Sequence, residues 1–278
     1  MNWLVAEQLR RNAARRDAWS GYAAHRAETT ARIVAAARSQ NDQLCLLGAG
    51  NGDDLDLAEI ASVYSQANLA DIDADALARG LDRLPASQRQ SFRLHGGIDL
   101  TGCWQYLGNR PRGDAPTDAE LEQVIQCCAA DRPPPLPGPF DVVASTCVIS
   151  QLIDSAVLAL GPAHPRLLEV VLPLRTNHLR LMAGLLAPGG RAVLITDFVS
   201  SDSLPELLTD SEPDWPALLA KITARGNFFH GLNPCNLLAV FQADRVLAAT
   251  VIDARLTGLW RWRQAKRVYA VAAIEFQT

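Results

Sequence analysis

A glycine-rich segment between an apolar run and a helix start constrains this chain more than any other feature. Residues 44–57 read Leu-Cys-Leu-Leu-Gly-Ala-Gly-Asn-Gly-Asp-Asp-Leu-Asp-Leu. The apolar residues predict a buried strand, and Gly48, Gly50 and Gly52 predict a tight turn without side chains. Such a turn, followed by a helix N-terminus, lets a ligand lie against bare backbone. We therefore expect a strand–turn–helix unit that can hold a ligand.

The spacing of the glycines distinguishes between ligands. The dinucleotide fingerprint G-x-G-x-x-G requires glycine at position 53, where this chain has Asp53. The G-x-G-x-G form resembles motif I of class I S-adenosylmethionine (SAM)-dependent methyltransferases. That resemblance implies a cofactor-binding turn formed by Gly48, Ala49, Gly50, Asn51 and Gly52. Taken alone, the motif also allows a simple tight turn after a core strand.

A second short strand ends in acidic residues about 20 residues after the glycines, where a nucleoside-binding βαβ unit places an acid. Residues 67–73 read Ala-Asn-Leu-Ala-Asp-Ile-Asp, and Asp71 ends the apolar stretch. One carboxylate can accept hydrogen bonds from both ribose hydroxyls. We predict that Asp71 binds the ribose, with Ile72 beside it in the site, and that Asp73 and Asp75 start the next helix.

Residues 91–95 predict a third strand, which leads to Asp99 and Leu100. In the methyltransferase family, an acidic or polar residue at this point contacts the exocyclic amine of adenine. The next apolar residue packs on the adenine ring. The resemblance therefore implies that Asp99 and Leu100 bind the adenine of the cofactor.

A fourth strand is predicted over residues 140–149, which read Phe-Asp-Val-Val-Ala-Ser-Thr-Cys-Val-Ile. This segment resembles motif IV of the same family, whose C-terminal end faces the sulfonium and the substrate. Ser145 and Thr146 are therefore candidates for hydrogen bonds to cofactor or substrate. The alternative is that these two residues only terminate the strand.

The rest of the chain completes the resemblance. Residues 185–197 resemble the helix, Pro-Gly-Gly turn and fifth strand of the family, and residues 256–262 and 267–276 read as two closing strands. The family inserts its seventh strand antiparallel between the fifth and the sixth. We predict an α/β fold: a seven-stranded class I methyltransferase Rossmann-like sheet with the last strand antiparallel and helices on both faces.

A chain of 278 residues can bury one substantial core. We predict an N-terminal helical extension or cap over residues 1–40 and a SAM-dependent methyltransferase domain over residues 41–278, with insertions at about 103–138 and 201–235. Within the first insertion, Thr117-x-x-Glu120 is a capping box that predicts a short helix.

The N-terminal extension reads as two helices, residues 2–18 and 22–38, separated by Ser20-Gly21. In many relatives with this layout, such helices lie over the cofactor. Tyr22 and Arg26 are four residues apart and share a helix face. We predict that they cap the methionine end of the cofactor, with Arg26 pairing with its carboxylate. The alternative is a surface helix whose aromatic residues pack on the sheet.

Methyl transfer from a sulfonium requires an aligned nucleophile and a dry site, and a general base only where the acceptor is protonated. His25, His178 and His230 are the candidate bases. We favour His230 as the catalytic residue, because it follows Phe228 and Phe229 in the second insertion.

One departure from the family pattern leaves a different function open. The family often has an acid two residues before the first glycine, where it contacts the methionine end of the cofactor. This chain has Leu46 there. A non-catalytic methyltransferase-like binding or scaffold protein is therefore an alternative to an enzyme.

The acceptor is predicted to be a small molecule. The Asn/Asp-Pro-Pro-Tyr/Phe motif after the fourth strand is missing, which argues against methylation of exocyclic amines of nucleobases. The net charge of −4 and pI near 5.7 argue against nucleic acid bound over a broad surface.

Two basic segments keep RNA or protein methylation as an alternative. Residues 1–40 contain seven arginines and three acidic residues, and residues 255–267 interleave arginines with Trp260 and Trp262. These tryptophans could stack on RNA bases. The interpretation we favour is a β-hairpin with the tryptophans on one face and Arg261 and Arg263 on the other.

No apolar run approaches the ~18 residues that a membrane helix needs, and no signal-peptide pattern opens the chain. The six cysteines show neither C-x-x-C pairs nor metal-ligand spacing. We expect reduced thiols, no metal and a cytoplasmic location. The combined prediction is a cytoplasmic enzyme that uses SAM and methylates a small molecule, with its oligomeric state undetermined.

Overall fold

A seven-stranded sheet organises the computed structural model, which describes residues 2–15, 18–130, 135–209 and 211–278. The strands are β1 (Gln43–Leu47), β2 (Gln66–Asp71), β3 (Phe92–Gly96), β4 (Phe140–Thr146), β5 (Leu186–Ser200), β6 (Ile252–Gln264) and β7 (Arg267–Gln277). Their spatial order is β3-β2-β1-β4-β5-β7-β6. β1 to β5 are parallel, whereas β7 runs antiparallel to both of its neighbours, β5 and β6.

This order and these directions are those of the class I methyltransferase fold, so the predicted fold is confirmed. The reversal between β1 and β4 creates a crevice at the carboxyl ends of the strands. In open α/β sheets, ligands bind in such a crevice. The predicted glycine turn and Asp71 both lie at this edge, because each directly follows or ends a parallel strand.

Helices cover both faces of the sheet. They are α1 (Trp3–Ala14), α2 (Ala23–Ala36), α3 (Leu57–Val63), α4 (Ala74–Leu81), α5 (Ala86–Arg89), α6 (Trp104–Leu107), α7 (Asp118–Ala129), α8 (Val148–Leu160), α9 (Leu167–Leu185), α10 (Trp215–Ala224), α11 (Pro234–Ala243) and α12 (Arg245–Thr250). Short 3₁₀ turns occupy Trp19–Tyr22 and Pro205–Leu208.

The core is divided by the sheet into two apolar clusters. Side chains alternate along β1, so that Leu44 and Leu46 pack on one face and Cys45 and Leu47 on the other. All four are at most 1% exposed, as expected for a central parallel strand covered on both faces. Leu46, at the position of the family's acid, is therefore a core residue.

The two N-terminal helices pack in different places. Asn2 caps α1, and the backbone N–H of Trp3 donates to the carbonyl of Gly108 (3.1 Å), which fixes the start of α1 near the carboxyl edge of the sheet. α2 instead packs into the core on one sheet face, where Ile33 is fully buried. Only α1 thus covers the crevice.

The expected helix signals have mixed outcomes. Thr117 and Glu120 form the predicted capping box at the start of α7, and Asp73 caps α4 as predicted. The helix after the glycine turn is capped by Asp56, whose side chain accepts from two backbone N–H groups of α3. The proline-rich exit of the first insertion lies partly outside the described residues, at positions 133 and 134.

Candidate functional site

The glycine turn passes directly beneath the first turn of α8. Gly48 has φ +70°, and a Cβ at this position would lie 2.0 Å from Cγ2 of Val148. The backbone N–H of Gly48 donates to the carbonyl of Ala70 (2.7 Å), which joins the turn to β2. A side chain is therefore excluded at position 48 both by backbone conformation and by space.

Asp71 ends β2 beside this turn. Its Oδ2 accepts a hydrogen bond from the backbone N–H of Gly50 (2.9 Å), and its Oδ1 accepts one from Asp73 (2.8 Å). Each oxygen has a further lone pair that can accept a ligand hydroxyl. Burial raises the pKa of Asp71 to about 6, although both backbone N–H groups oppose the shift.

Five of the predicted cofactor residues line one cavity, called here the inner cleft. Its lining consists of Gln8, Asn12, Gly48, Asp71, Ile72, Ile98, Asp99, Leu100, Trp104, Val148, Gln151 and Leu152. Backbone and carboxylates form one side, and apolar side chains form the other. This combination of a few polar groups with apolar walls is typical of a small-molecule site.

Asp99 organises the loop of residues 99–104 in the wall of the inner cleft. Its Oδ1 accepts from the backbone N–H (2.9 Å) and the hydroxyl (2.6 Å) of Thr101. Its Oδ2 accepts from the backbone N–H of Trp104 (3.1 Å), the first residue of α6. The carboxylate thus holds Leu100 and Trp104 in the wall of the cleft while contributing to the lining itself.

The remainder of the glycine turn lies beneath α1. The Asn51 amide donates to the backbone carbonyl of Asn12 (2.9 Å), and the Asn12 amide donates to Asp73 (3.2 Å). Ala49, Asn51 and Gly52 are buried. Asn12 also lies near Gly50, where a Cβ would be 3.9 Å from both the Asn12 and the Asp71 side-chain oxygens.

Tyr22 and Arg26 do not line the inner cleft. The guanidinium of Arg26 stacks on Trp19 and donates to the carbonyls of Trp19 (2.9 Å) and Asp53 (2.8 Å). The Tyr22 hydroxyl accepts from Gln264 (2.6 Å). In this structure the two residues support the loop after the glycine turn and the β6–β7 hairpin.

Ser145 and Thr146 are buried at the end of β4 and are also absent from the lining of the cleft. The Ser145 hydroxyl lies 2.8 Å from Nε2 of His178 on α9. Burial lowers the pKa of His178 to about 4. The His25 ring accepts a hydrogen bond from the indole N–H of Trp260 (3.0 Å), and burial lowers the pKa of His25 to about 3. Both candidate bases are therefore neutral core residues away from the cleft.

A larger cavity of about 720 Å³, called here the outer chamber, adjoins the inner cleft. Gln8, Asn12 and Gln151 line both cavities and lie at the boundary between them. The chamber wall includes Arg15, Cys147, Ser150, Asp197, Phe229, His230, Trp262, Arg267 and Tyr269. The volume falls in the usual range of ~300–1,000 Å³ for small-molecule pockets.

His230, the histidine favoured from the sequence as the catalytic residue, lies on the chamber wall and is exposed. The backbone N–H of Phe229 donates to the carbonyl of Phe198 (2.7 Å), which attaches this segment to the end of β5. The chamber thereby acquires an aromatic wall from the second insertion.

Asp197 is the chamber residue that sequence reasoning did not select. It lies near the carboxyl end of β5, is only 7% exposed, and accepts a hydrogen bond from the hydroxyl of Ser150. Burial raises the pKa of its carboxyl, while the nearby Arg267 acts in the opposite direction. The available signal was an acid at the end of the strand that follows motif IV.

The tryptophans of the β6–β7 hairpin are core residues. Trp260 and Trp262 are each 7% exposed, and Trp262 stacks on His25 with ring centroids 4.4 Å apart. The alternating-hairpin interpretation is confirmed, because Arg261 and Arg263 lie on the opposite, more exposed face. Trp260 and Trp262 are therefore too buried to form an open stacking surface for a strand of RNA.

Among residues 2–15, 18–130, 135–209 and 211–278, no cluster of three or more histidine, cysteine or acidic side chains is suited to hold a metal ion. Within the same part of the chain, every helix is too short or too polar to cross a membrane.

No protein-family model and no curated protein matches this chain. Among solved structures, it is similar to magnesium protoporphyrin IX methyltransferase from Synechocystis PCC 6803 with bound S-adenosylhomocysteine (SAH): the TM-score is 0.45 at 12% identity, covering 93% of this chain and 84% of that one. Human N-acetylserotonin methyltransferase in complex with SAM gives a TM-score of 0.42 at 13% identity, covering 99% of this chain and 56% of that one. An rRNA methylase from Streptococcus thermophilus gives a TM-score of 0.39 at 12% identity, covering 89% of this chain and 92% of that one. The assignment of the fold rests on strand order and direction.

Proposed function

We propose that this protein is a SAM-dependent methyltransferase that acts on a small-molecule acceptor. The observation that carries the proposal is the pairing of two features in one cleft. Gly48 contributes backbone without a side chain to the lining of the cleft, and each carboxylate oxygen of Asp71 beside it has a further lone pair that can accept a hydroxyl. A chamber large enough for a second molecule adjoins this cleft and shares three lining residues with it.

The residues of the inner cleft suit the parts of SAM. Asp71 would accept both ribose hydroxyls, because a carboxylate can take two hydrogen bonds at once. Leu100, Ile72 and Trp104 supply apolar surface for a planar base next to the Asp99 loop. When bound, SAM would supply an electrophilic methyl group on its sulfonium.

The methionine end requires partners other than the missing acid at Leu46. Gln8, Asn12 and Gln151 line both cavities and carry amide groups that can donate as well as accept. We assign the amino and carboxylate groups of the cofactor to these amides. Arg26 is not assigned to the carboxylate, because its guanidinium is bonded to the carbonyls of Trp19 and Asp53.

The outer chamber would hold the acceptor, with Asp197 as its polar anchor. A buried carboxyl can accept a hydrogen bond from an amine or hydroxyl nucleophile and so orient its lone pair. Where the nucleophile loses a proton, the raised pKa of Asp197 makes it a better base than an ordinary carboxylate. Asp197 replaces His230 as the favoured catalytic residue, because His230 is exposed.

Isothermal titration of the purified protein with SAH, with NAD as the control, tests the proposal first. Micromolar binding of SAH without binding of NAD is the expected result. Failure to bind SAH would contradict the enzyme assignment and favour the scaffold alternative. It would also indicate that Leu46, at the position where the family often has an acid, is incompatible with cofactor binding.

RNA as the acceptor is disfavoured by the ion pairs of two of the seven N-terminal arginines. Arg10 pairs with Glu7 (2.7 Å), and Arg11 pairs with Glu7 (3.1 Å) and Asp154 (2.6 Å). These charges are already neutralised within the protein. Salt-sensitive RNA binding that is lost on deletion of residues 1–40 would reverse this conclusion.

A further inference from the structure

Cys103 meets the adjacent pair Cys127 and Cys128, more than 20 residues later in the sequence, beside the inner cleft. Sγ of Cys103 lies 2.8 Å from Sγ of Cys127 and 3.5 Å from Sγ of Cys128. Cys103 directly precedes α6, whereas the other two occupy the last turn of α7. The spacing in sequence gave no sign of this cluster, which depends on the packing of α6 against α7.

We infer that Cys103 and Cys127 are a site of reversible oxidation, at which a disulfide changes the wall of the inner cleft. The pair is chemically asymmetric. Cys103 is fully buried and Cys128 is 2% exposed, whereas Cys127 is partly exposed. An oxidant therefore reaches Cys127 first, and Cys103 is positioned as the thiol that resolves the product.

Hydrogen peroxide is the oxidant of the simplest reaction. The Cys127 thiol is oxidised to a sulfenic acid, and one water is released. The Cys103 sulfur then attacks the Cys127 sulfur, an S–S bond forms, and the expelled hydroxide takes the Cys103 proton as a second water. Two thiols and one peroxide thus give one disulfide and two waters. A thiol reductant reverses the change by exchange.

The thiols contact the loop that shapes the inner cleft. The Cys103 thiol lies 3.0 Å from the carbonyl of Thr101, and the Cys127 thiol lies 3.2 Å from the carbonyl of Gly102. The backbone N–H of Cys103 also donates to the Thr101 hydroxyl (2.9 Å), which itself donates to Asp99. A chain of hydrogen bonds therefore links the cysteine pair to Asp99 in the cleft wall.

Disulfide formation would disturb the loop of residues 99–104 in two ways. It removes both S–H donors from the loop. It also draws the sulfurs from 2.8 Å to the bond length of ~2.05 Å, which pulls the segment before Trp104 towards α7. Since Asp99, Leu100 and Trp104 line the inner cleft, we expect oxidation to weaken nucleoside binding there. This last step rests on the proposed function, whereas the disulfide itself does not.

Mass spectrometry of the full-length protein tests the disulfide. Treatment of the native protein with hydrogen peroxide should lower the intact mass by about 2 Da, and peptide mapping should join Cys103 to Cys127. Cys127→Ser should abolish the cross-link, whereas Cys235→Ser, which removes an exposed cysteine outside the cluster, should leave it. A bond to another cysteine, or no bond at all, would overturn the inference.

Titration with SAH and hydrogen exchange of residues 99–107 test the coupling to the cleft. We expect about threefold to tenfold weaker SAH binding after oxidation, the effect of one lost hydrogen bond, with recovery on reduction and no change in Cys127→Ser. If the reduced protein does not bind SAH, the proposed function fails, and hydrogen exchange still reports on the loop. Equal exchange of this loop in both redox forms would contradict the coupling.

Discussion

The inner cleft and the outer chamber are built in different ways. The polar base of the inner cleft is local, because the backbone of the glycine turn and Asp71 belong to one βαβ unit, whereas its other walls come from α1, residues 98–104 and α8. The outer chamber depends on side chains from α1, α8, the end of β5, the 228–230 segment, β6 and β7, together with Cys147 after β4. A site made of local backbone leaves a spacing motif in the sequence, whereas a site made of distant side chains leaves none.

The same difference determines how each region should respond to substitution. In the inner cleft, space is limiting, because the backbone turn lies against α8. In the outer chamber, space is ample and the chemical nature of one or two side chains should matter most. Four predictions test this contrast, beginning with the largest expected effect.

Gly48→Ala should destabilise the fold by about 3 kcal/mol or more, because it combines left-handed strain with overpacking against Val148. Urea denaturation followed by circular dichroism measures the loss. Gly97→Ala is the matched control: its φ of +75° gives the strain, but no atom lies within 4 Å of the new Cβ. We expect the control to cost only about 1 kcal/mol. Equal losses would show that space is not limiting at the turn.

Asp197→Asn should reduce turnover of an acceptor by about 10²–10³-fold, because the amide cannot take a proton. SAH affinity should change by less than about twofold, since Asp197 lines only the outer chamber. Asp154→Asn is the control, as it removes a second, more exposed carboxylate from the same chamber. A comparable loss of turnover in both variants would contradict the proposal that Asp197 is the catalytic residue.

Asp71→Ala should weaken SAH binding by about 1.5–3 kcal/mol, the range for hydrogen bonds to a charged group. Calorimetry measures the affinity, and Asp75→Ala, an exposed acid in the first turn of α4, should leave it unchanged. Unchanged affinity in Asp71→Ala would mean that the ribose is bound elsewhere.

SAH affinity should depend on pH through Asp71, whose pKa is raised to about 6. Ribose hydroxyls donate to the ionised carboxylate, so binding favours the ionised form and lowers this pKa. Affinity should therefore be constant above pH 7 and should fall by up to about tenfold by pH 5, where about a tenth of the carboxyl is ionised. Asp71→Asn should bind more weakly and show a flat profile. A slope that persists in this variant would point to another group.

Several parts of the fold and of the cleft could be predicted from the sequence because each is formed by residues close together in the chain. The glycine turn, Asp71 after the second strand and the Thr117–Glu120 capping box all follow from residues within one or two elements. The positions of Tyr22 and Arg26 could not be predicted in this way. Tyr22 ends the 3₁₀ turn before α2 and Arg26 lies in α2, and there they contact Gln264 and Asp53 rather than the cleft.

Histidines illustrate why the choice of catalytic residue required the structure. A sequence reports that His25, His178 and His230 exist, but not which of them is buried beside a serine or a tryptophan. Burial lowers the pKa of the first two, and exposure leaves the third at the edge of the chamber. Asp197 was overlooked because its role depends on β5 lying next to β4.

The sequence by itself determined the order of the elements, the glycine turn and the acid that ends β2, because periodicity and spacing act over short distances. Only the tertiary structure decided that α1 covers the cleft, that Asp197 lies near Ser150, and that Cys103 meets Cys127. These contacts join residues dozens of positions apart. They result from how helices pack on the sheet, and no local pattern encodes that packing.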